Sequence, residues 1–166
     1  MYEILLLCGK PGCGKTTLAH YLEKEYGMVS FSADDYMLKL YGEVEDRAEF
    51  EKKLALVKEM ICSLAIKFLS KNVKVVIDFG LWTKSERESL KQVFSNFKTA
   101  IIYLNKSDEE IFKNLDKRNA NLKENEYFID RETFKILSSK FEEPQICEGV
   151  LNFSSSHLSD VKKILE

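Results

Sequence analysis

Gly9-Lys10-Pro11-Gly12-Cys13-Gly14-Lys15-Thr16 sits between an apolar run, Tyr2-Glu3-Ile4-Leu5-Leu6-Leu7-Cys8, and a segment with helical spacing that begins at Thr17. The eight residues fit Gly-x-x-x-x-Gly-Lys-[Ser/Thr], the Walker A spacing. Its glycines let consecutive backbone N–H groups turn inward around phosphate oxygens, its lysine reaches the outer phosphates, and its final hydroxyl is a ligand for Mg²⁺. Context supports that reading. The apolar run is long enough for a buried parallel strand. From Thr17 to Tyr26, Leu18, Tyr21, Leu22 and Tyr26 recur at helical spacing, and Gly27 supplies a stop. Strand, glycine loop and helix are the setting that a polyphosphate cradle requires. Residues 9–17 (Gly9, Lys10, Pro11, Gly12, Cys13, Gly14, Lys15, Thr16 and Thr17) are therefore the expected nucleotide-binding residues.

The chain has 166 residues, of which 45% are hydrophobic, a size and content suited to one globular domain able to bury a sheet under helices on both faces. Pro11 and Pro144 are its two prolines; there is no Gly/Ser-rich linker and no internal repeat. Lys10 interrupts the apolar start well before the length of a signal peptide or a membrane span, so a cytoplasmic protein without membrane contact is expected. The net charge is −2, with acids and bases mixed along the chain, which weighs against a polyanionic strand as partner. Cys8, Cys13, Cys62 and Cys147 form no C-x-x-C pair, so neither a zinc site nor a disulfide framework is indicated. Cys13 lies at a helix N-terminus that would favour its thiolate, but a small residue that fits the loop is the preferred reading. His20 and His157 have no plausible nucleophile beside them and read as surface or packing residues.

Beyond the first unit the pattern alternates. Met28–Ser32 is a second strand, and a long helix is predicted from Asp46 to Ser70 with Phe50, Leu54, Val57, Ile61, Leu64 and Phe68 on its buried face. Val73–Asp78 is the third strand. Thr83 with Glu86, and Ser107 with Glu110, are capping boxes that open helices on either side of a fourth strand, Thr99–Leu104. A polar stretch from Asn119 to Tyr127 precedes a helix capped by Asp130 and running through Phe141. Gly149–Phe153 is the fifth strand, and Leu158–Leu165 closes the chain as a helix. Strands separated by helices imply right-handed crossovers, hence an α/β fold with a five-stranded, mainly parallel sheet covered on both faces. Ligands then bind beyond the carboxyl ends of the strands.

Three further groups emerge on that edge. In Phe31-Ser32-Ala33-Asp34-Asp35-Tyr36, Asp34 is placed to accept the proton of a hydroxyl attacking phosphorus; alternatively, Asp34 or Asp35 caps a short helix starting near Tyr36, the preferred reading for Asp35. Asp78 ends an apolar strand, where an isolated acid is expensive to bury, so it meets Mg²⁺-bound water or substrate, or else hydrogen-bonds the loop backbone. Trp82, in Phe79-Gly80-Leu81-Trp82, either lines a substrate pocket or packs.

This order of motifs, with Ser85-Glu86-Arg87, Leu115-Asp116-Lys117-Arg118-Asn119 and Phe141-Glu142-Glu143-Pro144 added, resembles the small P-loop kinases related to zeta toxin, chloramphenicol phosphotransferase and the 5′-kinase domain of phage polynucleotide kinase. The similarity spans nearly the whole chain and is closest to the bacterial ATP-binding (AAA-domain) proteins of that group. The resemblance implies a P-loop NTPase three-layer sandwich with a short lid at about residues 119–129. It implies Lys15, Asp34 and Arg118 as catalytic residues, Arg118 also touching nucleotide, with Thr16 and Asp78 holding Mg²⁺. Asp34, Asp35, Asp78, Trp82 and Arg87 would then face substrate; for Arg87 an exposed helix position is the alternative. Two positions depart from the pattern: Asn114 stands where relatives often carry a lid arginine, with Lys117, Lys123 or Arg131 as possible replacements. Met37 stands where polynucleotide kinase has an arginine, which favours a small acceptor over a strand.

The expectation is an ATP- and Mg²⁺-dependent kinase acting on a hydroxyl of a small or nucleoside-like molecule. A polynucleotide or tRNA 5′-hydroxyl kinase and a non-catalytic ATP-binding regulatory module are the alternatives.

Overall fold

Successive residues of a strand point to opposite faces of the sheet, and in the first strand every one of them is buried, so both faces need a covering layer. A computed structural model, which describes residues 2–123, 126–155 and 157–165, supplies both layers. Five strands, β1 (Ile4–Cys8), β2 (Val29–Ser32), β3 (Val75–Asp78), β4 (Thr99–Leu104) and β5 (Leu151–Phe153), form one sheet in the order β2-β3-β1-β4-β5, and every pairing is parallel. Ile4, Leu6 and Cys8 face a core completed by α2 (Ala33–Tyr41), α3 (Arg47–Leu69) and α4 (Lys84–Val93) through Met37, Val57, Ile61, Leu90 and Phe94. Leu5 and Leu7 face a second core built with α1 (Lys15–Tyr26), α5 (Asp108–Ala120), α6 (Arg131–Ser138) and α7 (Lys162–Leu165) through Leu18, Leu22, Ile111, Leu115 and Phe134. This is the α/β P-loop NTPase sandwich that the sequence predicts.

The caps act as read. Thr83 and Glu86 close a capping box, with the Thr83 N–H donating to Glu86 Oε2 at 3.0 Å and the Glu86 N–H to Thr83 Oγ1 at 3.1 Å; Ser107 and Glu110 repeat it on α5. Gly27 ends α1 in the left-handed region, and Asp130 caps α6. Four expectations are corrected. Helix α2 starts at Ala33 rather than near Tyr36, because Ser32 is its cap and accepts from the Asp35 N–H at 3.4 Å; Asp35 is inside the first turn and caps nothing. On α3, Val57 and Ile61 are buried and Phe50, Leu54 and Leu64 pack half-buried against the same core as expected, but the last turns bury Ala65 and Leu69, while Phe68 is 37% exposed with its ring 5.9 Å from that of Phe31. Helix α6 stops at Ser138, short of Phe141, and the last helix is a 3₁₀ turn, Leu158–Val161, followed by one α turn. Within the predicted lid, Asn119 and Ala120 belong to α5, and Glu124 and Asn125 lie outside the described residues. Among the described residues no helix is long and apolar enough to cross a membrane.

Arg87 corrects the sequence reading most sharply. It is neither an exposed helix residue nor a group free to bind substrate: it is 1% exposed, and its guanidinium meets Glu148 through Nε–Oε2 at 2.6 Å and Nη2–Oε1 at 3.1 Å. Nη1 donates to the carbonyls of Glu142 at 2.8 Å and Leu81 at 3.3 Å. The Leu81 backbone is held at φ 49°, a left-handed conformation that a branched side chain adopts only under constraint. Arg87 therefore clamps the segment 142–148 and the loop after β3 onto α4. The Arg87 contact holds the Glu148 carboxyl below the usual carboxylate range, against the opposing effect of burial. Arg87→Met should lower unfolding free energy in urea by about 3–5 kcal/mol, since it strands a buried carboxylate; Arg87→Met combined with Glu148→Met should recover most of that loss.

Candidate active site

The register of the parallel strands fixes what meets at the sheet edge. Leu7 lies opposite Asp78, and Asp78 opposite Ser32, so the loop after β1, the acid ending β3 and the start of α2 share one level. The Gly9 N–H donates to the Gly80 carbonyl at 3.3 Å, tying the first loop to the turn after β3.

Residues 9–14 wrap into a cradle that requires glycine at specific points. Gly12 has φ 77°, and a Cβ there would come within 2.8 Å of Leu115 Cγ on α5, so its missing side chain is what lets α5 close against the loop. Gly14 (φ 100°) precedes Lys15 and brings no side chain to cap the amides of α1, whose first turn carries no acid; these amides point where an anion would sit. Lys15 Nζ donates to the carbonyls of Gly9 at 2.9 Å and Lys10 at 3.1 Å. Lys10 itself turns outward to Asp108 at 2.9 Å. Pro11 is buried, and Thr16 and Thr17 are exposed at the start of α1. Cys13 is 2% exposed, and burial pushes its thiol above the ordinary range, so it is the small residue that fits.

Three titratable groups face one another here. Burial works against the Lys15 ammonium, but neighbouring acidic groups, Asp78 and Asp34 among them, more than offset it and raise its pKa. Burial raises the Asp78 carboxyl, opposed by Lys15, the Gly80 amide and the Thr16 hydroxyl, which lies 3.4 Å from Asp78 Oδ2. Burial also raises Asp34, helped by repulsion from Asp78 and opposed by Lys15, Lys58 and Arg118. Asp34 is nonetheless open to solvent, as a group on the wall of a cleft is. The oxygens of Thr16 and Asp78 are hard donors suited to Mg²⁺; among the described residues no cluster of three His, Cys, Asp or Glu side chains exists to hold a metal without help from phosphate.

The remaining expected residues divide. Arg118 belongs to this cleft: it acts electrostatically on Asp34, and its Nη2 donates to the Tyr127 carbonyl at 3.0 Å. Asn114, in place of a lid arginine, donates its amide to the Gly12 carbonyl at 3.0 Å. Of the proposed replacements, Arg131 pairs with Asp116 at 3.8 Å and lies over the Phe112 ring, while Lys117 and Lys123 are exposed. Asp35 is engaged with Lys39 at 2.8 Å. Trp82 packs edge-on against Phe141 and lies over Gly80, where a Cβ would meet its Nε1 at 2.8 Å. Met37 is wholly buried in the core, so that position contacts no ligand here. Lys58 and Tyr127 were missed from sequence. Lys58 sits on a helix read only for its core face, and Tyr127 in a polar stretch with no periodicity to mark it.

The model of the AAA domain family matches residues 4–144, most of the chain. This chain belongs to the AAA domain family. No curated protein sequence matches it. Among solved structures, this AAA domain is similar to a proposed kinase from Chloroflexus aurantiacus, at 16% identity and TM-score 0.75, covering 99% of this chain and 95% of that one. It is also similar to an APS kinase from Mycobacterium tuberculosis in complex with AMPPNP and APS, at 14% identity and TM-score 0.64, covering 99% and 97%. A third similarity is to a chain of the Pnkp1/Rnl/Hen1 RNA repair complex, at 23% identity and TM-score 0.65, covering 82% of this chain and 43% of that one. These likenesses establish the fold, that of the small P-loop kinases.

The raised pKa of Asp78 has a thermodynamic consequence for this AAA domain. The folded state holds the Asp78 proton to higher pH than the unfolded chain does, so stability falls as pH rises from the ordinary carboxylate pKa through the folded value. Asp78→Asn should therefore melt at a higher temperature than the parent at pH 7, with the difference shrinking to nothing as pH falls below about 4. Calorimetry across that range checks the sign.

Proposed function

We propose that this protein is an ATP- and Mg²⁺-dependent kinase that transfers a γ-phosphoryl group to a hydroxyl of a small acceptor. The observation that carries the reading is the convergence, at one sheet edge, of Lys15 at the head of α1, Asp78 at the end of β3 within 3.4 Å of the Thr16 hydroxyl, and Asp34 in the first turn of α2. The APS kinase of the same fold binds AMPPNP, which supports ATP as donor. Mg²⁺ bound at Thr16 and Asp78 would supply charge neutralisation between the outer phosphates.

In this reading the amides of residues 12–16 hold the triphosphate, and Lys15 releases its two carbonyl partners to follow the charge that develops on the transferring group. Arg118, on α5, neutralises the opposite side with a planar guanidinium. Asp34 orients the acceptor hydroxyl and takes its proton, a task to which a carboxylate with a raised pKa is better matched than an ordinary one. Cys13, His20 and His157 have no part. A strand acceptor is disfavoured because acids and bases are mixed along a chain of net charge −2 and the Met37 position is inside the core.

Asp34→Asn should leave the affinity for Mg²⁺-ATP within about twofold while transfer falls about 10²- to 10³-fold. Lys15→Met should lose both. The measurement is ADP release with and without added acceptor, alongside calorimetric titration of ATP. Equal transfer by Asp34→Asn removes the base assignment, and ATP binding with no acceptor-stimulated turnover replaces the kinase with a nucleotide-responsive module.

A further inference from the structure

The phosphate loop begins with a turn that its residues dictate. Pro11 has φ set at about −65° by its ring. Gly12 has φ 77°, and the Cys13 N–H donates to the Lys10 carbonyl at 3.3 Å, so Lys10-Pro11-Gly12-Cys13 is a type II β-turn with proline and glycine in the two places that suit them. The Lys10 carbonyl accepts a second bond, from Lys15 Nζ at 3.1 Å. Two donors that meet on one oxygen inside the loop are set to meet on the oxygens of a phosphate, the group that a glycine-rich loop of this spacing cradles.

The N–H and C=O of a trans peptide unit point in opposite directions, and no peptide bond here is cis. With the Cys13 N–H facing inward, the Gly12 carbonyl of the same unit faces outward, and there it meets α5. Asn114 Nδ2 donates to the Gly12 oxygen at 3.0 Å, while a Cβ on Gly12 would stand 2.8 Å from Leu115 Cγ and 3.1 Å from Ile111 Cγ2. Ile111, Asn114 and Leu115 share one face of α5 by their spacing of three and four. The two apolar side chains set how near the peptide unit lies, and the amide sets its rotation, because a hydrogen bond has a preferred direction at a carbonyl and a dispersion contact does not. Gly12 has no Cβ to hinder rotation about its own ψ, so without a partner for its oxygen this unit would turn at little steric cost.

We propose that Asn114 is a positioning residue for nucleotide, fixing the Gly12–Cys13 peptide unit so that the Cys13 N–H faces the phosphates. This rests on the nucleotide-binding part of the function proposed above. Asn114 itself touches no ligand and exchanges no proton. It acts by preorganisation, sparing the binding step the ordering of a peptide unit that glycine leaves loose. The asparagine that stands where a lid arginine was expected thus serves the nucleotide from outside the loop, through the backbone rather than through charge.

The test compares the full-length parent with Asn114→Leu, which keeps a side chain of similar size and removes the donor. The probe is Mg²⁺-ADP, titrated calorimetrically, with ¹⁵N-labelled protein reporting the Cys13 amide. The affinity should fall about fivefold, the effect of one hydrogen bond. Because Asn114 is exposed and water can take its place, the melting temperature without nucleotide should stay within about 2 °C of the parent. The Cys13 amide resonance should shift or broaden before nucleotide is added, while those of β1 and α5 keep their positions. Unchanged Mg²⁺-ADP affinity in Asn114→Leu, or a Cys13 amide that the substitution leaves unaltered, overturns the proposal and leaves the phosphate loop as the nucleotide site. A loss of affinity accompanied by a larger fall in melting temperature and by shifted amides along α5 makes Asn114 a structural tie between helix and loop, and overturns its positioning role. A parent protein without affinity for Mg²⁺-ADP overturns this proposal and the nucleotide reading together.

Discussion

Asp78 lies in register with Leu7 on one side and Ser32 on the other, and this alignment of three parallel strands sets everything at the sheet edge. Were β3 shifted by one residue, its alternation would send Asp78 toward a core and bring Ile77 to the level of the phosphate loop. The alignment instead puts a carboxylate 3.4 Å from the Thr16 hydroxyl at the head of α1 and lets β2 deliver Asp34 in the first turn of α2. It depends on burial of both faces of β1, β3 and β4, since a strand covered on both sides cannot slide without exposing apolar side chains.

That rigidity is what makes the electrostatics of the edge tolerable. Asp34 and Asp78, each with a raised pKa, weaken the fold by themselves at neutral pH, and the Lys15 ammonium, whose own pKa is raised beside them, offsets part of that cost. The loop after β3 carries a further cost in the left-handed backbone of Leu81, whose carbonyl accepts from both Cys8 Sγ and Arg87 Nη1. The ion pair of Arg87 with Glu148 thus acts on the site at one remove. It tethers residues 142–148 over the turn that binds the Gly9 amide, and so holds the entrance of the phosphate loop without facing a ligand.

The frame of this protein was legible because it follows from local patterns: apolar runs, glycine spacing, and Ser or Thr followed three residues later by Glu. The phosphate loop was legible for the same reason, being nearly contiguous. What escaped depends on contacts distant in sequence. Arg87 looks solvent-facing on α4 until Glu148, 61 residues on, encloses it. Asp35 looks like a cap because Ser32 was assigned to the strand, whereas the residue ends the strand and caps the helix at once. Phe68 fits the period of α3, yet the last turns of a 23-residue helix rotate relative to the sheet, and Ala65 and Leu69 take the buried positions. Tyr127 carries no local signal, since its backbone contact with Arg118 reaches across nine residues of polar sequence.

The replacement of a lid arginine by Asn114 ties these elements into one argument. An arginine there would add a second cation to this face of α5, while the asparagine amide binds the Gly12 carbonyl at 3.0 Å and, with Leu115 packed where a Gly12 Cβ would be, fixes α5 to the loop. One turn later on the same helix, Arg118 inherits that fixed position. Its guanidinium acts on Asp34 together with Lys15 and Lys58, and through Nη2 it holds the Tyr127 carbonyl at 3.0 Å, so one fixed helix connects the phosphate loop with the segment that follows it. If Arg118 turns toward phosphate as in the proposed function, it must loosen or redirect its hold on the Tyr127 carbonyl, so the segment after α5 would respond to nucleotide.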